Sequence, residues 1–487
     1  MKGSLRAIEL FAGVGGFRVG LEKSDWKVVW SNQYEPSSKT RQHASWIYKY
    51  QFGESEDNHV NLDINEVLDQ MSNGGRPLPQ EHDLLVGGFP CQDYSVARVL
   101  NQAAGLIGQK GVLWWSIFRL LKLLRSQGRQ PRFLLLENVD RLIKSPAGQR
   151  GRDFAVMLAS LQLLGYRVEW RVINAADYGF PQRRRRIFIV GEMSEYSSDD
   201  QKSKCSPKET LFQDGILAQA LNVQQPSGAC QFDLKTGFPL SEKAIGKLDL
   251  LSDKKIQTYL GDISAGFGIG TSKSPFRNAG LLINGQVHTV DLKAIELPES
   301  ERHNLRHVVQ KAKEYRLENN LDEDVEKHFY LDEGQLGKWE VLKGPKNAER
   351  THRVTGHQYF YQEGRVAFPD SLEKPSRTIL TGEGGSTPSR FKHVIEDSNG
   401  LRRLTPEELE ILNGFDPGHT KTPPDHPVIT DGKRAFLMGN AVVVGIVEKI
   451  GLELDKRMKA SKNRKSTIEE YSHSTTPEEL VATPADY

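Results

Sequence analysis

Cysteine is nearly missing from this chain: three in 487 residues, at positions 91, 205 and 230. So few thiols cannot staple a protein of this size, which excludes a disulfide framework and points to a reducing compartment. Cys205 and Cys230 also lack the paired spacing that a zinc site requires. An excess of one charge is missing too. With 65 Lys and Arg against 63 Asp and Glu, the formal net charge is +2, so any attraction for a polyanion must be local. The amino terminus lacks a signal core, because Lys2 and Arg6 are followed by Glu9 and a glycine cluster. No run reads as a membrane span, and a cytoplasmic, nucleoid-associated protein is expected. Internal repeats are absent as well.

What is present is an ordinary globular composition, 37% hydrophobic and 26% charged, so disorder cannot dominate. At 487 residues the chain exceeds one compact core and two domains are expected. Apolar runs at Ala7–Phe11, Lys27–Ser31, Leu84–Val86, Phe133–Leu136, Arg167–Ile173 and Ile187–Val190 read as strands. Leu113–Leu124 and Phe154–Leu164 carry the three-and-four spacing of amphipathic helices. This alternation predicts an α/β fold with a Rossmann-like, doubly wound, mostly parallel sheet over 1–192.

From 193 to 400 the chain turns polar and glycine-rich, which predicts a second, irregular domain. Its charged helix near Glu301–Arg316 reads as a solvated face. Thr405, Pro406, Glu407 and Glu408 form a helix start, and 401–453 reads as a return into the first domain. The basic, aperiodic remainder, 454–487, is expected to be disordered.

Gly87 to Ser95 reads GGFPCQDYS and follows a buried strand. Cys91 thus falls at a strand's carboxyl end, where open α/β sheets bind ligands, and a thiolate there would be a nucleophile. After the first strand comes FAGVGGF, Phe11 to Phe17, whose Gly13, Gly15 and Gly16 let backbone approach a ligand. The spacing is not the dinucleotide fingerprint, since its third glycine would fall at Arg18. Gln33, Tyr34 and Glu35 after the second strand offer ribose acceptors and a stacking ring, and Asp63 could accept from an exocyclic amine. Together they describe a nucleoside pocket. Glu137-Asn138-Val139 places a carboxylate at another strand end, and Gln182 precedes four arginines, 183 to 186. Strand alternation sends Arg184 and Arg186 one way and Arg183 and Arg185 the other.

These motifs, in this order, resemble the C5-cytosine DNA methyltransferases. FAGVGGF is similar to that family's cofactor loop, GFPCQDYS to its nucleophile motif, ENV to its acid motif and QRRRR to its arginine motif. Arg403 to Glu407 with Gly414-Phe415, and Gly439-Asn440-Ala441-Val442, resemble its last two motifs. The 193–400 interval matches the family's target-recognition domain in position only.

The resemblance implies that double-stranded DNA is the substrate and that one cytosine is flipped from the stack. Cys91 would add to C6, Glu137 would bond N3 and the amino group, and Arg186, supported by Arg184, would contact O2. S-adenosylmethionine would be the methyl donor. Phe11, Gly13, Val14, Gly15 and Gly16 would line its pocket, with Tyr34, Asp63 and Ile64 at the adenine, Leu113 closing the site, and Asn440 with Ala441 returning to it. The family's acidic residue before the aromatic is Gln33 here, so either Gln33 or Glu35 holds the ribose. Tyr94 stands where phenylalanine is usual. Ser95, Thr378, Gly384 and Gly385 are implied to meet DNA. A monomer is expected, with a restriction endonuclease sharing the site without contact. The alternatives are a tRNA cytosine methyltransferase, whose Cys-Phe-Thr tripeptide is not found here, and an inactive DNA-binding module.

Overall fold

The structure, a computed structural model, describes residues 4–38, 40–75, 77–89, 112–146, 149–193, 206–224, 230–232, 273–322, 324–351 and 356–474. The first part of the chain runs β1 (Leu5–Leu10), α1 (Gly16–Leu21), β2 (Trp26–Asn32), α2 (His43–Phe52), β3 (His59–Val60), α3 (Ile64–Ser72) and β4 (Leu84–Gly88). It continues with α4 (Val112–Ser126), β5 (Phe133–Val139), α5 (Arg152–Leu163), β6 (Tyr166–Asn174) and β7 (Arg185–Met193). All six strands expected from the apolar runs are present.

Strand order across this part is β3-β2-β1-β4-β5-β7-β6. The first five are parallel, whereas β7 lies antiparallel between β5 and β6. The carboxyl ends of β1, β2, β4 and β5 therefore share one edge, and β7 brings its amino end to that same edge. Strands covered on both faces read as unbroken apolar runs; Phe133, Leu134, Leu135 and Leu136 are all fully buried. Each such side chain contributes about 1.5–3 kcal/mol of burial. Helices α3, α4 and α5 cover one face of the sheet.

The expected separation at residue 193 is not where the sheet stops. Beyond α6 (Ile216–Ala220), strands β8 (Cys230–Phe232), β9 (Ala279–Ile283) and β10 (Gln286–Val290) extend it to ten strands. The reason is that β6 would otherwise be an open edge, a template for aggregation. β9 pairs with it from Val168↔Leu282 to Arg171↔Ala279. Gly280 permits the fit, since a Cβ there would sit 2.0 Å from the Trp170 ring.

The rest comprises α7 (Leu305–Glu318), α8 (Leu336–Lys343), the hairpin β11 (Lys346–Thr351) with β12 (Gln358–Glu363), and the hairpin β13 (Val394–Asp397) with β14 (Gly400–Arg403). Then come α9 (Pro406–Asn413), α10 (Asp431–Asn440) and α11 (Val444–Ser474). Two expectations need correcting. Helix α7 is not merely solvated: Leu305, Val308 and Ala312 on one face enter a core with α9 and α10. The segment from 454 continues α11 as far as Ser474, and Leu454 and Met458 are buried against the sheet face opposite α3 to α5. As expected, Thr405 caps α9, its hydroxyl taking the Glu408 N–H while the Glu408 carboxylate takes the Thr405 N–H at 2.8 Å. Although no run was expected to read as a membrane span, Asp431–Ser461 is long and apolar enough to cross one by length and composition. Of the most apolar 18-residue window in it, 67% is buried inside the protein, which accounts for its apolarity.

Candidate active site

β4 and β5 pair from Leu84↔Phe133 to Gly88↔Glu137, so Glu137 lies beside the strand that leads toward Cys91. A Cβ on Gly88 would stand 3.1 Å from Glu137 Oε2; glycine makes room for the carboxylate. Asn138 Nδ2 donates to the Phe89 carbonyl at 3.1 Å, fixing the root of that loop. Cys91 and Ser95, with the rest of 90–111, lie outside the described residues. Glu137 is 9% exposed and its Oε1 meets Arg186 Nε at 2.9 Å. Burial pushes its carboxyl above the usual carboxylate range, against the pull of Arg186 and Arg184. Such a group keeps its proton to higher pH than an exposed glutamate.

The four arginines divide differently from simple alternation. Only Arg186 meets the Glu137 carboxylate. Arg184, 2% exposed, donates to the carbonyls of Ile379 at 3.1 Å and Gly439 at 2.9 Å. It joins the start of β7 to the segment around Ile379 and to α10. Arg185 pairs with Asp140, and the Arg183 N–H binds the Ser376 carbonyl at 2.9 Å. Thr378 meets this same hinge, its hydroxyl donating to the Arg183 carbonyl at 2.7 Å. Gly384 packs on α10, where a Cβ would lie 2.6 Å from Gly432 Cα, and Gly385 adopts φ +82°.

In the loop after β1, Phe11 and Gly13 take φ of +54° and +57°, and Gly15 takes +88°. The three glycines there differ in purpose. A Cβ on Gly15 would strike the Phe52 ring at 2.3 Å, and one on Gly16 would lie 2.7 Å from Val442. A Cβ on Gly13 would meet nothing within 4 Å. Close packing requires the last two, while Gly13 faces open space. Its N–H donates to Gln33 Oε1 at 2.8 Å, so Gln33 is tied to the loop. Glu35 is held elsewhere: one oxygen accepts the Ala44 N–H at 3.0 Å and the other pairs with Lys433 at 2.7 Å.

Asn32 donates to the carbonyls of Val60 and Leu62, which holds the segment leading to Asp63 beside the end of β2. Asp63 caps α3 through the Asn65 N–H, and Ile64 is buried in a cluster against which Phe11 and Leu113 also pack. Val14 is less available than expected, for its side chain is buried with Phe415 and Leu412. Asn440, exposed at the end of α10, and Ala441 reach the loop through Val442.

Three residues do more than the sequence assigned to them, Gln182 having been seen only as the start of the arginine motif. Gln182 donates to the Leu412 carbonyl and Asn413 Oδ1, and accepts the Ile379 N–H, so one amide fastens three distant segments. His419 Nε2 lies 2.7 Å from the Val14 carbonyl and holds the loop from the far end of the chain. Only their nearness to the motifs signals them. Glu9, fully buried on β1, accepts from Tyr48 Oη at 2.8 Å beneath Gly15.

Burial pushes the Glu9 carboxyl up to about 8. Since the folded value is the higher one, the stability it contributes is complete below the ordinary value of 4.5 and lost as pH rises through about 8. Across that window unfolding free energy should fall with a slope of about 1.4 kcal/mol per pH unit from this group. Glu9→Gln should flatten this component in urea denaturation between pH 5 and 8. An unchanged slope in the variant would remove Glu9 from the account.

Five parallel strands, an antiparallel seventh strand inserted before the sixth and an open glycine loop after β1 define a class I methyltransferase fold. Residues 5–456 match the family of C-5 cytosine-specific DNA methylases, and the chain belongs to that family. It is 40% identical to the type II methyltransferase M.Sau3AI of Staphylococcus aureus, over 93% of this chain and 96% of that one. The type II methyltransferase M.NgoBV of Neisseria gonorrhoeae is 26% identical over 92% and 98% of the two chains. In fold alone, the crystal structure of the S. pombe Dnmt2 methyltransferase aligns over 94% of this chain and 99% of its own, with 13% identity and a TM-score of 0.51.

Proposed function

We propose that this chain methylates C5 of a cytosine within a fixed sequence of duplex DNA, as the modification enzyme of a type II restriction–modification system. The buried Glu137–Arg186 pair carries the reading, because it stands in register beside the strand leading to Cys91. A flipped cytosine in this position has its ring polarised from one side. Cys91 thiolate forms a bond to C6, and the electron pair of the C5–C6 double bond moves into the ring. Glu137, holding a proton, donates to N3 as charge develops there; the Arg186 guanidinium is one donor away from O2. C5 then gains a methyl group; a base takes the C5 proton, its bonding pair re-forms the C5–C6 double bond, and the sulfur departs from C6 as thiolate. Division of one step into two lower barriers is the gain from covalency.

S-adenosylmethionine, when bound, supplies the electrophilic methyl group. The loop suits such a ligand: Gly13 faces unobstructed space, while Phe11, Ile64 and Leu113 converge on one apolar cluster. Phe11, Gly13, Tyr34, Asp63, Ile64, Leu113 and Asn440 would hold it. Gln33, tied to the loop at Gly13, is the better placed for the ribose, since Glu35 is occupied by Lys433 and α2. A companion endonuclease would meet the same DNA sequence in the cytoplasm without touching this chain, which would act as a monomer.

Tritiated S-adenosylmethionine offered with duplex DNA or with tRNA, followed by bisulfite sequencing, tests the reading. Label should enter duplex DNA at one cytosine of a constant sequence. Label confined to tRNA would move the assignment to the RNA-modifying alternative.

A further inference from the structure

The hairpin β11–β12 adds nothing to the core. Its six cross-strand pairs, from Lys346↔Glu363 to Thr351↔Gln358, are exposed or nearly so on both faces. Side chains kept off the core on both faces of a ribbon are available to a partner. Paired residues share a face, so the register sorts them. One face carries Asn347 with Gln362, Glu349 with Phe360, and Thr351 with Gln358. The other carries Lys346 with Glu363, Ala348 with Tyr361, and Arg350 with Tyr359. The first is a row of amides and a hydroxyl around Phe360, which is 69% exposed, with one carboxylate, Glu349, opposite that ring. The second is basic and aromatic, with the Arg350 guanidinium stacked 3.7 Å from the Tyr361 ring centre.

The ribbon is also held firmly relative to the active site. Arg390 donates to the carbonyls of Leu342, Gly344 and Gly364 at its root and pairs with Glu363 at 3.0 Å. Lys343 binds the Lys392 carbonyl, and Arg377 binds those of Phe391 and Lys392. Arg377 lies in the Ser376–Ile379 stretch that Gln182, Arg183 and Arg184 clamp beside Arg186. A continuous set of backbone contacts thus runs from the Glu137–Arg186 pair to the ribbon.

We propose that β11–β12 enters the major groove of the substrate duplex and reads base edges with Asn347, Gln362, Gln358 and Thr351, while Lys346 and Arg350 meet phosphates at the groove walls. The inference rests on the functional reading above. Two strands about 4.8 Å apart fit a groove about 12 Å wide, which admits a two-stranded ribbon. Asparagine and glutamine pair in bidentate fashion with adenine N6 and N7, and phenylalanine and threonine methyl groups contact the thymine methyl. The ribbon therefore reads at least one A·T pair of the target sequence.

The test uses the full chain carrying Asn347→Ala with Gln362→Ala, and separately Gln358→Ala. Duplexes carry the site found for the unsubstituted enzyme, each single-pair change of it, and 7-deazaadenine at each adenine in turn. The variants should lose about ten- to a hundredfold in kcat/KM on the intact site and far less on changed sites. One 7-deazaadenine should impair the unsubstituted enzyme but not the matching variant. Unchanged site preference overturns the proposal. Equal loss on every duplex also overturns it, since that would make the ribbon a backbone anchor. An unsubstituted enzyme that labels no duplex overturns the functional reading itself, a result distinct from both.

Discussion

Cys91→Ser enzyme should form no SDS-stable adduct with duplex DNA carrying 5-fluorocytosine at the target, whereas the unsubstituted chain should be trapped. Fluorine at C5 cannot leave as the proton does, so sulfur bonded to C6 has no exit. A serine hydroxyl ionises far less readily than a thiol and cannot add at neutral pH without a strong base. Methyl transfer should fall by on the order of 10⁴-fold or more, as when nucleophiles of other covalent enzymes are removed. Binding of S-adenosylmethionine should persist, because the residues assigned to it lie on the loop after β1 and its neighbours. A variant that methylates at the original rate would sink the nucleophile assignment.

The second large effect belongs to Glu137. If its protonated carboxyl donates to N3, then Glu137→Gln should lower the single-turnover rate by roughly a hundredfold or more. An amide still fills the space beside Gly88 and can accept from Arg186, but it donates a weaker bond. The pH profile separates this role from a structural one. Because the folded carboxyl titrates above its ordinary range, activity that needs its proton persists past pH 4.5 and falls as pH rises through the raised value. That descending limb should vanish in Glu137→Gln. Because the amide still accepts from Arg186, stability should change by no more than about 1 kcal/mol, measured by urea unfolding on the same preparation. A folded variant with full activity and the original pH profile would leave Glu137 as a partner for Arg186 and nothing more.

The central sheet was legible because its strands are buried on both sides, which writes them as unbroken runs such as Phe133 to Leu136. Glu137, Arg186 and the glycine loop were legible because turns and strand ends leave marked punctuation. Other features depend on partners far away in the chain. β9 reads as a short apolar piece, and only the open edge of β6 decides where it goes. Glu35 looks as suitable for a ribose as Gln33 until Lys433, almost four hundred residues later, claims its carboxylate. Val14 sits in a ligand-like motif, yet its side chain serves a core made by α7, α9 and α10. The extent of α11 was hidden by a basic, aperiodic composition that says nothing of Leu454 and Met458 reaching the sheet.

Two supports of the glycine loop come from the other end of the chain: His419 on the Val14 carbonyl and Val442 against Gly16. During translation this sets an order of events. A nascent chain that has emerged as far as residue 400 already contains Cys91, Glu137 and Arg186, but the loop that must receive the methyl donor lacks its wedge. The ribosome therefore delivers the chemistry first and the means to use it last. On the proposed reading, a prematurely terminated product would carry Cys91 without a finished donor pocket and should not methylate DNA.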